Sequence, residues 1–191
     1  MSGLKIDQLG QATPVMVFDV ESVGLHGEGF AVGLVVIKGG VEVDSGAFGC
    51  PQSYALDDAG NLPPHVSSDR QWVGENVPDV GALGSPFVVR ERFWNVWSTW
   101  KSKGAVLAAD CAWPVEGRFL NACVDIATDL RRWDGPYPLI EISTLLLAAG
   151  FDPMASFPRG ENELPMHHPL ADARQSARLM MMAIDKLKGA D

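Results

Sequence analysis

Three strand-like runs stand close together near the start of the chain, before any helical period begins. This restricts the fold more than any other feature. Val15-Met16-Val17-Phe18-Asp19-Val20 is a compact apolar run that ends among carboxylates. Phe30-Ala31-Val32-Gly33-Leu34-Val35-Val36-Ile37 is the second. Gly39-Gly40 then marks a hairpin turn, and Val41-Glu42-Val43-Asp44-Ser45-Gly46-Ala47-Phe48 alternates as a third strand. Strands joined by such short connections pair antiparallel, so the chain opens with a meander.

Helices and strands alternate after that. Arg90 to Ser102 carries Phe93, Val96, Trp97 and Trp100 at helical spacing, Gly104 closes that helix, and residues 105–109 form the next apolar strand. Pro114 suits the first turn of a helix running to about Leu130, with Val115, Phe119, Cys123 and Ile126 as its buried stripe. Residues 138–142 read as a short strand, with Ser143 as N-cap of the following helix and Gly150 as its stop. Pro169 opens the last helix, whose apolar face is Leu170, Ala173, Ala177, Met180, Ile184 and Leu187. This order predicts an α/β fold, a mixed sheet flanked by helices. At 191 residues one domain is expected over 1–191, with its core at about 14–187. An irregular insertion at about 50–87 is rich in Pro, Gly, Asp, Ser and Asn. A connection of that length inside a compact domain is usually functional or mobile.

Charge limits the partners. With 15 Lys and Arg against 24 Asp and Glu the chain carries −9, which excludes a long electrostatic track for duplex nucleic acid. It leaves room for a pocket that takes a few terminal nucleotides, where bound divalent ions supply the local positive charge. No apolar run reaches the roughly 18–20 residues that span a bilayer, so no membrane partner is expected. The first seven residues hold no long apolar segment of a secretory signal. Cys50, Cys111 and Cys123 are odd in number and lack Cys-x-x-Cys spacing, which argues against a disulfide framework or structural zinc. They read as small buried hydrophobes in a cytoplasmic protein.

Two motifs at opposite ends carry the chemistry. Residues two apart on a strand face the same way, so Asp19 and Glu21 aim both carboxylates at one spot. Like charges that close repel unless a cation sits between them, and hard oxygen ligands suit Mg²⁺ or Mn²⁺. Asp-x-Glu alone is also common in solvated turns. Asp172 lies on the first turn of the last helix, and His167 precedes that helix on a segment kept out of helical geometry by Pro169. His168 reads as a cap or surface residue.

Phe18-Asp19-Val20-Glu21-Ser22-Val23-Gly24-Leu25, together with His167 five positions before Asp172, resembles the DEDDh exonucleases of the ribonuclease H-like superfamily. That resemblance covers about residues 14 to 187. It implies two divalent cations, Mg²⁺ or Mn²⁺, held by four acidic residues, with a His as general base. Asp19 and Glu21 match the first motif, and His167 and Asp172 the third. The second motif departs from the family, which expects Asn and then Phe-Asp or Tyr-Asp. The stretch Asp110-Cys111-Ala112-Trp113-Pro114-Val115-Glu116 offers Asp110 at a strand end, or Glu116 in the register set by Arg118-Phe119-Leu120. The expected activity is 3′-to-5′ hydrolysis of single-stranded RNA or DNA ends, RNA favoured, to nucleoside 5′-monophosphates. A homodimer is compatible with this, and a catalytically silent nucleic-acid-binding module of the same fold is the alternative. Trp72, Trp94 and Phe151 are candidates for stacking on terminal bases, whereas Trp97 and Trp100 read as core.

Overall fold

A computed structural model describes residues 3–51, 64–81 and 83–189. Part of the expected insertion, residues 52–63 and residue 82, lies outside them. Five strands form one sheet: β1 (Val15–Ser22), β2 (Gly29–Lys38), β3 (Val41–Gly49), β4 (Val106–Ala109) and β5 (Leu139–Glu141). Their order across the sheet is β3-β2-β1-β4-β5. β1 pairs antiparallel with β2, and β2 with β3, as the short turns require. β1 with β4, and β4 with β5, pair parallel across longer crossovers. The fold is therefore α/β, with a five-stranded mixed sheet flanked by helices.

The helices are α1 (Pro64–Asn76), α2 (Pro86–Ser102), α3 (Gly117–Asp125), α4 (Thr128–Arg131), α5 (Ile142–Ala148) and α6 (Pro169–Lys188). Among the described residues no helix is long and apolar enough to cross a membrane. Several elements differ from the sequence reading, each for a local reason. α1 lies inside the segment expected to be irregular; its sequence is polar on most sides, so it shows no clear period. α2 begins at Pro86 rather than Arg90, because Ser85 caps it, its hydroxyl accepting from Val88 N at 3.4 Å. The helix expected over 114–130 is divided. A wide turn at Ala112–Glu116 leads into α3, and the non-helical backbone of Ala127 separates α3 from α4. α5 starts at Ile142, with Glu141 rather than Ser143 at its cap position. The Ser143 N–H is already satisfied, since it donates to Asp110 O at 3.0 Å.

Alternation along β1 assigns its side chains to two cores. Met16, Phe18 and Val20 face one cluster, packed with Phe93 and Trp97 of α2 and Phe119 of α3. Val15 and Val17 face the other, with Ile142 and Leu146 of α5 and Ala173, Ala177, Met180 and Ile184 of α6. Full burial of Met180 and Ile184 contributes about 1.5–3 kcal/mol each. Continued by period two, the second face reaches Asp19 and Glu21. Both carboxylates therefore emerge on the side that α6 covers.

One glycine sets how close α6 comes. Gly33 of β2 is paired with Asp19 of β1. A Cβ at Gly33 would lie 2.1 Å from both Leu170 N and the Pro169 carbonyl carbon. Those are backbone atoms of the first turn of α6, so only glycine allows this approach. The contact brings the N-terminal turn of α6, with Asp172, over the end of β1.

Candidate metal centre

Asp19, Glu21 and Asp172 each present an oxygen, and these oxygens lie within 4.8 Å of one another. Asp19 and Glu21 come from the polar end of β1, and Asp172 from the first turn of α6. The three are hard donors close enough to share a small divalent cation, and this donor set fits Mg²⁺ or Mn²⁺.

The electrostatics point the same way. Burial, then the charges of Glu21, Glu116, Asp172 and Asp110, hold Asp19 well above the usual aspartate range. Glu21 is only 9% exposed. Burial first, and then Asp172 and Glu116, push it up to about 8. Glu116 is pushed up to about 7 by burial, against the pull of backbone N–H groups of Glu116 and Val20, with Asp110 adding to the rise. Asp110 lies on the exposed rim, yet it is also raised, by the dense packing around it and then by Glu141 and Asp172. The neighbouring charges that act on Asp19, Glu21 and Asp110 are all negative. Such a cluster favours protons or cations between its oxygens.

Both candidates for the second motif are therefore present. Asp110 follows β4 directly, at its C-terminal end, and Glu116 ends the wide turn before α3. Glu116 acts on Asp19 more strongly than Asp110 does, whereas Asp110 lies nearer the Glu141 side. Glu141 was missed in the sequence. It accepts from Ala112 N at 3.2 Å and from the Thr144 hydroxyl. Its signal was available: a carboxylate at the end of β5, parallel to β4.

His167 is half-buried and lies beside Asp172, its backbone N–H donating to Asp172 Oδ2 at 3.1 Å. It is the one non-glycine residue with positive φ among the described residues, at 60°. That conformation is uncommon and persists where surrounding contacts hold it. One such contact is Trp72, whose ring meets the imidazole edge-on at 4.8 Å between centroids. His168 occupies the N-cap position of α6 without a side-chain capping bond.

Beside Glu21 a cavity of about 480 Å³ opens, lined in part by Leu25, His26, Asp69 and Trp72. Trp72 is 45% exposed, so its ring is open to a ligand as well as to His167. Gly24 shapes the rim with φ of +66°, and the Asp69 carboxylate packs against it where a Cβ would collide. Of the other two stacking candidates, the structure corrects Trp94. Trp94 is buried in the core on α2, with the Arg131 guanidinium 4.9 Å over its ring. Phe151 packs against the core beneath α5 and α6. Apolar burial outweighs stacking at Trp94, whereas Phe151 is half-buried. Trp97 and Trp100 are core residues as expected, and Trp100 Nε1 donates to Asp44 Oδ2 at 2.8 Å. Cys50 and Cys123 are buried, while Cys111 is exposed on the turn after β4.

Arg159 is the second residue that sequence reasoning missed. It ion-pairs with Asp172, and nothing in its Phe-Pro-Arg-Gly surroundings gives a periodic signal for it. Neither a protein-family model nor a curated protein matches the chain.

Proposed function

We propose that this chain is a metal-dependent 3′-to-5′ exonuclease acting on single-stranded nucleic acid, RNA before DNA. The observation that carries the reading is the convergence of Asp19, Glu21 and Asp172 from the first strand and the last helix. The resemblance to DEDDh exonucleases requires these two motifs to meet. A meander of three antiparallel strands followed by parallel strands is also the arrangement a ribonuclease H-like sheet would need.

Asp19, Glu21 and Asp172 would hold the divalent cations, with Asp110 or Glu116 as the fourth carboxylate. Bound there, such ions would polarise a phosphodiester and lower the pKa of water. His167, held beside Asp172 by its own backbone N–H, would accept the proton of the attacking water. Trp72 and Leu25 line the space next to Glu21 that would take the 3′-terminal nucleotide. The acidic surface restricts binding to a short end rather than a long track.

The test is digestion of 5′-labelled single strands of RNA and DNA with Mg²⁺ or Mn²⁺. Stepwise shortening from a free 3′ end, with release of 5′-monophosphates, is expected. Asp19→Asn should abolish it with an unchanged circular-dichroism spectrum. Internal cuts in a circular strand, or full activity in Asp19→Asn, would overturn the reading.

A further inference from the structure

Arg159 stands in the connection between α5 and α6, and its surroundings are tied down residue by residue. Gln175 Nε2 donates to Phe157 O at 3.3 Å, and Arg178 Nη2 to Pro158 O at 2.7 Å. Gly160 N donates to Glu163 Oε2 at 2.9 Å. Glu163 is itself 3% exposed and paired with Arg178, Nε to Oε1 at 2.6 Å and Nη2 to Oε2 at 2.9 Å. Phe157, Pro158 and Gly160 are thus linked to α6 directly or through Glu163. Connections are ordinarily the loosest parts of a fold, so one held this firmly fixes the position of something it carries.

What it carries is the Arg159 guanidinium. Nη1 donates to Asp172 Oδ1 at 2.5 Å and to Glu163 O at 2.9 Å. The side chain is 18% exposed. Among the described residues, no protein acceptor meets its Nε or Nη2. Arg159 also lines, with Asp110, a cavity of about 330 Å³ at the edge of the carboxylate cluster. It is the one cationic side chain among the described residues lining that cavity, whose other polar side chains include Gln175 and Ser176. A partly buried guanidinium with unused donors facing a polar cavity has the geometry to receive an anion. Two N–H groups in one plane match two phosphate oxygens, which a lysine ammonium cannot reproduce.

We propose that Arg159 is a phosphate-binding residue of this site: Nη1 stays on Asp172 while Nε and Nη2 grip the phosphate of a nucleotide at the carboxylate cluster. The inference rests on reading that cluster as a cation centre that acts on a phosphodiester. It assigns Arg159 the role of supplying the positive charge that the rest of the cluster lacks.

The experiment is calorimetric titration of the full chain and of R159Q, first with Mn²⁺ alone and then, in saturating Mn²⁺, with uridine 5′-monophosphate and with uridine. The nucleoside isolates base and ribose contacts from the phosphate. In R159Q the monophosphate should bind at least tenfold more weakly, uridine should be unaffected, and Mn²⁺ affinity should stay within threefold of the unsubstituted chain. R159K should recover less than half of the lost binding free energy. Monophosphate affinity in R159Q equal to that of the unsubstituted chain overturns the proposal. So does a tenfold loss of Mn²⁺ affinity, which would make Arg159 only a brace for Asp172. Should R159Q lose its circular-dichroism spectrum, R159K decides: unchanged monophosphate affinity refutes, a tenfold loss supports. A chain that binds no Mn²⁺ at all removes the cation-centre reading itself, and this inference with it.

Discussion

Glu21 offers a quantitative test through the pH dependence of the metal-free protein. Its carboxyl titrates at about 8 in the fold and near 4.5 in the unfolded chain. Between those values the folded state keeps a proton that the unfolded state has released, so stability falls as pH rises. The stabilisation is fully present below about pH 4.5 and is lost on passing through about 8. At ~1.4 kcal/mol per pH unit the full loss is about 5 kcal/mol, most of which falls between pH 5 and pH 8. With a urea slope on the order of 2 kcal/mol/M, the midpoint should drop by roughly 1.5–2 M across that window. The assay is urea unfolding in chelator at pH 5, 6, 7 and 8, for the unsubstituted chain and for Glu21→Gln. The variant has no proton to lose at this position, so its midpoint should fall much less. A proton on one carboxylate relieves its neighbours, so Asp19 and Glu116 retain a smaller slope of the same sign. Saturating Mn²⁺ should flatten the dependence in the unsubstituted chain. A midpoint that is constant, or that rises from pH 5 to pH 8 in chelator, would refute the reasoning.

The second-motif carboxylate is tested by comparing Asp110→Ala with Glu116→Ala in Mn²⁺-dependent hydrolysis. Asp110→Ala should reduce kcat by at least a hundredfold and Glu116→Ala by less, and the opposite order would place the fourth ligand in the register of Arg118. Gly33→Ala should destabilise the fold by about 2–4 kcal/mol and weaken Mn²⁺ binding, because its methyl group must push the first turn of α6 off β2. Thermal unfolding and calorimetry check this, and an unchanged melting temperature would contradict it. His167→Ala should lower kcat by roughly 10²–10⁴-fold while Mn²⁺ still binds, as expected for a general base rather than a ligand. Loss of metal binding in that variant would reassign the residue.

Much of this site can be read from periodicity alone. Period two along residues 15–21 puts Val15, Val17, Asp19 and Glu21 on one face, because each peptide unit reverses the side-chain direction. Period 3.6 after Pro169 defines a helix that carries Asp172 on its first turn and buries Ala173, Ala177, Met180 and Ile184. Short turns around Gly39 and Gly40 imply the antiparallel meander. These are local properties of the chain, and they needed no tertiary information.

What the tertiary structure decided is which of these faces meet. A period reports the direction of a side chain, not its neighbour, so only the close approach of α6 at Gly33 brings Asp172 to Asp19 and Glu21. Trp94 and Trp72 carry the same ring, yet packing buries the first beneath Arg131 and leaves the second beside His167. Asp110 and Glu116 compete in the sequence for one role, whereas the fold sets both at the cluster, because a strand end and a wide turn converge there. Arg159 had no pattern to reveal it. Its place depends on bonds that Gln175 and Arg178 of α6 make to Phe157, Pro158 and Glu163, residues 15 to 20 positions away, and such contacts exist only once the chain has folded.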